Sequence, residues 1–373
     1  MVYFSAMKVV LLVTEKESPA FTTVGECVLS LARERSWAIH VVGGASASAA
    51  EMIGSWNPDG CILYAPKKRD IAAAARRMRI PTVLVSPQFA ARGAPIVAHD
   101  SHSTGRLAAR ELASLGFDSF AFAAAEANRP WVKARLAGFG EELGRRERTP
   151  SIFCGGNLRA WLKSIPKPCG LFAANDAMAE KVVASASAAG IDIPLDLAVL
   201  GCDDSARICE HSEITISSIR PDYMRCGMLA VDALDAAMRG GRRGPSKTLF
   251  GDVWVTRRAS TRLTVGRRPG ISEALEYIRA NAASGITAAE VIARMPGSRR
   301  SVEKAFRDAT GHSVLAEIQQ VRLSEVKRLL MNPFVKIGAI ASRTGYRSEN
   351  FLARMFKRET GLTPSQWRRH CRM

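Results

Sequence analysis

The sequence predicts two domains of different class: an α/β domain over residues 8–265 and an all-α domain over 271–373. Three observations predict it. Short apolar runs alternate with helix-length periodic segments throughout 8–265. That alternation stops at 264–270, a stretch with Gly, Pro and Arg but no periodicity, which reads as a linker. Beyond it every periodic segment is helical, and a pair of short helices joined by a tight turn occurs twice.

Residues 1–7 form a leader. Strands are expected at 8–13, 38–42, 60–64, 82–85, 119–124, 170–174 and 197–201, with helices at 22–35, 70–79, 103–115, 131–144, 176–189 and 223–239. The strands are apolar almost without interruption. They fit parallel sheets covered by helices on both faces, as one large sheet or as two lobes. Ligand sites in such folds lie at the carboxyl ends of the strands.

The C-terminal helices have readable ends. After a helix at 271–281, Thr287 and Glu290 form a capping box that opens a helix at 287–295. Pro296-Gly297 break it, and Ser298 caps the next helix, through about residue 308. A long helix at 313–331 places Leu315, Ile318, Val326, Leu329 and Leu330 at helical spacing and stops at Asn332-Pro333. Helices at 336–343 and 348–359 follow, with Gly345 in their turn, and a last helix starts at Pro364. The two helix-turn-helix units are therefore 287–310 and 336–359.

The charge agrees with this motif. The 373 residues carry a formal net charge of +18. Residues 266–373 hold 20 Lys and Arg against 9 Asp and Glu, a net of +11, which favours a polyanionic partner such as DNA. The eight cysteines form no CxxC pair. They suggest neither a zinc ribbon nor a thioredoxin-like site and read as buried hydrophobes in a reduced compartment. The apolar run at 9–13 is too short for a membrane span or a signal segment, so a cytoplasmic protein is expected.

In each unit the second helix must show one apolar and one polar face. Val302 and Phe306 are expected to face inward in the first unit, and Phe351, Met355 and Phe356 in the second. Arg299, Arg300 and Glu303, then Glu349 and Asn350, are the expected base readers, because Arg pairs with guanine, Asn with adenine, and Glu accepts from cytosine. Arg307 shares the outward DNA-binding face, and Ser298, Lys304, Arg343, Ser348, Arg354 and Lys357 suit phosphate contacts, which position the protein without specifying sequence.

This segment resembles the AraC family of bacterial transcription regulators. The match is carried by Ile337, Ile340, Ala341, Gly345, Tyr346, Ser348, Asn350, Phe351, Arg354, Phe356, Lys357, Gly361, Thr363, Pro364 and Arg368, with Trp367 where the family often has Tyr. The resemblance implies that a long helix, here 313–331, joins the two units. It also implies that the two reading helices enter successive major grooves about 34 Å apart. Pro296-Gly297 in the first turn departs from the pattern.

The front part resembles the effector domains of LacI/GalR regulators and periplasmic sugar-binding proteins. The match lies in HDSHSTGRLAARELASLGF (99–117), WVKARLAGF (131–139), GLFAANDAMA (170–179), LAVLGCDD (197–204) and ISSIRPD (216–222). It implies a two-lobed periplasmic-binding-protein-like fold and a pocket in which Arg135, Asp176 and Asp203 bond sugar oxygens while Trp131 or Phe21 stacks on the ring. From the residues alone, Asp176 and Asp203 also fit helix caps or turns. The joint arrangement looks like the bacterial xylose-operon regulators.

The expected function is a sugar-responsive, DNA-binding transcription regulator, an activator of pentose catabolism taking xylose or a similar monosaccharide. Operator DNA, RNA polymerase and a second copy of the chain are the expected partners, with no membrane and no cofactor. A ligand-independent architectural DNA binder and a sugar-modifying enzyme fused to a DNA-binding module are the alternatives. No GxSxG, GxGxxG or GxxxxGK[ST] motif supports an enzyme or nucleotide site. His99 and His102 alone are weak as metal ligands.

Overall fold

The computed structural model describes residues 7–14, 19–43, 53, 55–66, 70–87, 89, 93–240, 247–262, 270–310, 313–330 and 335–371. The leader apart from Met7, the linker apart from Gly270, and the Asn332-Pro333 stop lie outside the described residues. In chain order the first elements are β1 (Lys8–Thr14), α1 (Pro19–Glu34), β2 (Trp37–Gly43), β3 (Gly60–Tyr64), α2 (Asp70–Arg77), β4 (Thr82–Val85) and β5 (Ile96–His99). Next come α3 (Ser101–Ser114), β6 (Ser119–Ala123), α4 (Pro130–Gly144), β7 (Ser151–Phe153), α5 (Leu158–Ser164), β8 (Cys169–Ala173), α6 (Asp176–Ser187), β9 (Leu197–Cys202) and α7 (Ala206–Cys209). Then follow β10 (Ser217–Pro221), α8 (Tyr223–Met238), β11 (Lys247–Phe250) and β12 (Asp252–Thr256). The C-terminal helices are α9 (Ile271–Asn281), α10 (Ala288–Ala293), α11 (Arg299–Thr310), α12 (Val314–Leu330), α13 (Ile337–Arg343), α14 (Glu349–Thr360) and α15 (Pro364–Cys371).

Two six-stranded sheets form, ordered β11-β5-β4-β3-β1-β2 and β12-β10-β9-β8-β6-β7. Strand pairing is parallel from β2 to β11 in the first and from β7 to β10 in the second. The choice between one sheet and two lobes is thereby settled as two lobes. By contacts the chain divides into Met1–Asp100 with Pro221–Asp252, and Ser101–Arg220 with Val253–Arg372. The second unit thus contains the second lobe and the C-terminal helices together.

In the second lobe the strands bury both faces, which is why they read as continuous apolar runs. Ala121, Leu171 and Val199 point into one core. Phe120, Phe122, Phe172 and Leu200 point into the other. Strands β5, β7, β10, β11 and β12 were not legible as apolar runs. Strand β10 shows why, since its Ser217 and Ser218 are fully buried. Ser217 N–H donates to Ser260 Oγ at 2.8 Å, and Ser218 Oγ donates to Asp176 Oδ1 at 2.5 Å. Distant partners satisfy these hydroxyls, so a polar strand can be interior. Burial pushes the thiols of Cys61 and Cys169 up to about 12, leaving them as protonated apolar side chains.

The C-terminal domain has two cores strung on α12. Val314 and Ile318 close the first with Ile278, Val291, Val302 and Phe306. Val326 and Leu330 close the second with Ile340, Leu352, Phe356 and Trp367. Two expectations fail in the same way. Leu315 and Phe351 are exposed, and their neighbours Val314 and Leu352 are buried instead. One residue turns a helix by about 100°, so a core stripe assigned one position off turns a large side chain to solvent. The i,i+4 pairs that face the core are Val314 with Ile318 and Leu352 with Phe356.

Candidate DNA-reading face and effector site

Both helix-turn-helix units are built by local signals. Thr287 Oγ1 accepts from Glu290 N at 3.3 Å while Glu290 Oε2 accepts from Thr287 N at 3.4 Å, completing the capping box. Ser298 Oγ accepts from Ser301 N at 3.3 Å and Ser348 Oγ from Phe351 N at 3.2 Å, so each reading helix starts on a serine cap. Both serines therefore have a structural task at the site where a phosphate contact was expected. The second turn depends on Gly345, whose φ is +73°. A Cβ there would lie 2.8 Å from the Ala282 carbonyl oxygen. Only glycine permits both the conformation and the approach.

The outward faces match the expectation in position. Arg299, Arg300, Lys304 and Arg307 on α11, and Glu349, Asn350, Arg354 and Lys357 on α14, are exposed, as is Arg343 at the end of α13. Their electrostatics differ. On α11, Arg299 pairs with Glu303 at 3.0 Å and Lys304 with Asp308 at 3.2 Å. On α14, Arg354 and Lys357 make no ion pair among the described residues. Glu349 lies back along α13, its Oε2 3.0 Å from where a Cβ on Gly338 would sit.

The second lobe collects Arg135, Trp131, Asp176 and Asp203 of the expected effector residues near the carboxyl ends of β8 and β9. Arg135, buried on α4, donates from Nη1 to the Ala174 carbonyl and lies 4.9 Å over the half-buried Trp131 ring. Asp203 and Asp204 follow β9 with φ of +122° and +51°, a strained pair that the surroundings must hold. Asp204 supplies the hold. Its carboxylate accepts from Arg258 Nη1 at 2.9 Å and Thr256 Oγ1 at 2.8 Å, and its N–H donates to Ser218 Oγ at 3.0 Å. The turn thereby presents Asp203, which is half-buried.

Asp176 differs. It is 1% exposed and accepts from Ser218 Oγ at 2.5 Å and Ser205 N at 2.7 Å. Burial, then the neighbouring Asp203 charge, pushes its carboxyl up to about 7. Its bonds tie α6 to β10 and to the residue after the strained turn. The cap of α6 is Asn175, whose side chain accepts from Met178 N at 3.0 Å. In the first unit, Phe21 is buried with its ring 5.3 Å from that of Tyr64, the last residue of β3. Tyr64 was legible as an aromatic ending a strand but was not singled out.

His99 and His102 do not converge on one point. His99 Nε2 lies 2.7 Å from Asp252 Oδ1, and His102 Nε2 lies 3.0 Å from Glu141 Oε2. No group of three metal-ligating side chains exists among the described residues. No described helix is long and apolar enough to cross a membrane.

A further cluster, unread in the sequence, joins the second lobe to the first helix-turn-helix unit. Arg257 at the end of β12 holds Glu111 of α3 through both carboxylate oxygens, with Nη2 at 2.6 Å from Oε2. Arg279 of α9 reaches within 4.0 Å of the same carboxylate, and its Nε and Nη2 make no hydrogen bond among the described residues. Burial and the adjacent Arg257 pull the Arg279 guanidinium down to about 10. These groups, with Glu317 of α12, line a cavity of about 730 Å³. Helix α3 also packs against α11 itself. At its other end α3 lies backbone to backbone on α4, where a Cβ on Gly105 would collide with the Arg135 carbonyl and one on Gly138 with the His102 carbonyl.

Known proteins show the same division. Residues 109–261 match a periplasmic binding protein-like domain, and 291–370 match a helix-turn-helix domain. A solved structure of the xylose-binding transcription activator xylR covers 98% of both chains with a TM-score of 0.61 at 24% identity, which shows the shared fold. The chain is thus a two-lobed, periplasmic-binding-protein-like domain joined to an AraC-type helix-turn-helix domain. It is similar in sequence to the xylose operon regulatory proteins. That of Escherichia coli (strain K12) is 24% identical over 336 residues, covering 85% of this chain and 86% of its own. That of Haemophilus influenzae is 25% identical over 291 residues, covering 74% and 75%.

Proposed function

We propose that the chain is a transcription regulator that binds operator DNA through α11 and α14 and answers to a monosaccharide held by the α/β domain. The observation that carries this reading is the joining, in one chain, of two helix-turn-helix units with exposed basic faces to a periplasmic-binding-protein-like lobe with Arg135, Trp131 and Asp203 gathered at its strand ends. The planar Arg135 fork and the Asp203 carboxylate suit adjacent sugar hydroxyls, and the Trp131 ring suits a sugar face. The similar proteins are xylose operon regulators and a xylose-binding activator, which makes a pentose the first ligand to try. Activation of sugar-catabolism genes as a homodimer beside RNA polymerase, in the cytoplasm, completes the reading.

The Glu111 cluster supports a route from ligand to DNA. Arg135 sits on α4, and α4 is packed on α3 without intervening side chains at Gly105 and Gly138. Helix α3 carries Glu111 to Arg279 and touches α11. A ligand that favours one position of α4 over another therefore biases the first reading helix. It does so only by its difference in affinity for the two arrangements.

Isothermal titration of the full chain with xylose, arabinose and other pentoses tests the sugar claim, with gel shifts on operator DNA beside it. Heat with at least one pentose, and operator affinity that changes with the same sugar, is the expected result. No heat with any monosaccharide removes the sugar-sensing reading. Operator affinity indifferent to every small molecule supports the architectural alternative instead.

A further inference from the structure

We infer that Phe351 is a specificity-determining residue that reads thymine, its ring packing on the C5-methyl group of one thymine in the major groove. The inference rests on the DNA-binding reading above. Phe351 is 42% exposed although it stands in the first turn of α14, where an apolar ring gains nothing from water. The core beneath it is already closed by Leu352 and Phe356, both fully buried. The Phe351 N–H is pinned by the Ser348 cap, and Tyr346 stands behind the ring, centroids 6.2 Å apart and planes 43° from parallel.

The neighbours say what the ring faces. Asn350, an expected base reader, precedes it and Arg354, an expected phosphate contact, lies one turn on, both exposed, so the aromatic sits within the surface expected to meet DNA. Hydrogen-bonding side chains read the other edges in the major groove. Thymine alone among the four bases offers an apolar methyl there, which an aromatic ring can cover. Phe351 makes the second unit's code mixed, with one adenine-type and one thymine-type reader in adjacent positions.

The test uses the full chain and a duplex that it selects from a random pool. Each thymine is replaced singly by deoxyuridine, which keeps the base pair and removes only the methyl. Anisotropy titration should find one position where the change weakens wild-type binding about four-fold, the factor for one methyl-sized group. Phe351→Ala should bind the unmodified duplex about as weakly and be indifferent to deoxyuridine at that position. Its thermal midpoint should match wild type, because the ring is outside the core. Equal deoxyuridine effects in wild type and Phe351→Ala at every position overturn the assignment and leave Phe351 to a protein contact. Failure of the wild type to select any duplex overturns the DNA-binding reading itself.

Discussion

The two helix-turn-helix units share a plan and differ in surroundings. In the first, the reading helix α11 exposes no large apolar side chain among the described residues, pairs Arg299 with Glu303 and Lys304 with Asp308 along the helix, and packs on α3 of the second lobe. In the second, α14 shows Arg354 and Lys357 with no ion pair among the described residues and an exposed aromatic, and its principal packing partners are α13 and α15. The difference teaches a division of labour. The first unit packs on the lobe in which the effector is proposed to bind. The second is held to the first by α12 and by the Gly345 turn on Ala282, with Arg322 donating to the Ala282 and Ile286 carbonyls at 2.7 and 2.9 Å.

The largest expected effect separates the two cores. Phe306→Ala and Phe356→Ala each remove a fully buried ring, at a cost of about 3–5 kcal/mol. Denaturation followed by hydrogen exchange should show loss of protection in α10–α11 for the first and in α13–α15 for the second. Matching loss throughout both units would mean that α12 makes one cooperative core of them.

Glu111→Ala comes next. It leaves Arg257 and Arg279 adjacent with no shared carboxylate. Breaking a buried pair costs about 3–5 kcal/mol, and this one should fall at the low end because Arg257 keeps a quarter of its side chain in solvent. Operator affinity with and without the pentose should become the same in this variant if the cluster carries the signal. A ratio unchanged from wild type would break the assignment of the first unit as the regulated one.

Gly345→Ala should cost about 1–3 kcal/mol, from the positive φ and the clash with Ala282. The expected phenotype is sharper than the stability loss: the two reading helices lose their fixed spacing, so affinity should fall for a two-groove site and hold for a single half-site.

The smallest effects compare single charges. Arg354→Ala should weaken binding evenly across sequences and reduce the salt slope by about 1, as a phosphate contact does. Arg299→Ala should cost about 1–3 kcal/mol on the selected duplex and relax its sequence preference. In free protein Arg299 is engaged by Glu303 at 3.0 Å, so Glu303→Gln should tighten binding to random duplex by freeing it. An equal loss on random and selected DNA for Arg299→Ala would make it another phosphate contact.

Much of this molecule was written locally. The apolar strands, the 3.6-residue periodicity, the Thr287–Glu290 box, the Ser298 and Ser348 caps and the turn glycine each depend on residues within a few positions of one another, so the sequence by itself determined the two domain classes and both helix-turn-helix units. The tertiary structure decided what depends on distant partners. Strand β10 is a strand because Ser260 and Asp176 satisfy its serines, and Asp176 is turned inward by the same network. Whether Phe351 or Leu352 faces the core was settled by the packing of α13, α14 and α15, a matter of one residue in phase. The Glu111–Arg257–Arg279 junction had no local signature at all. Glu111 is 146 residues from Arg257 in the chain, and charges of either sign are common on helix surfaces until a fold brings them together out of water.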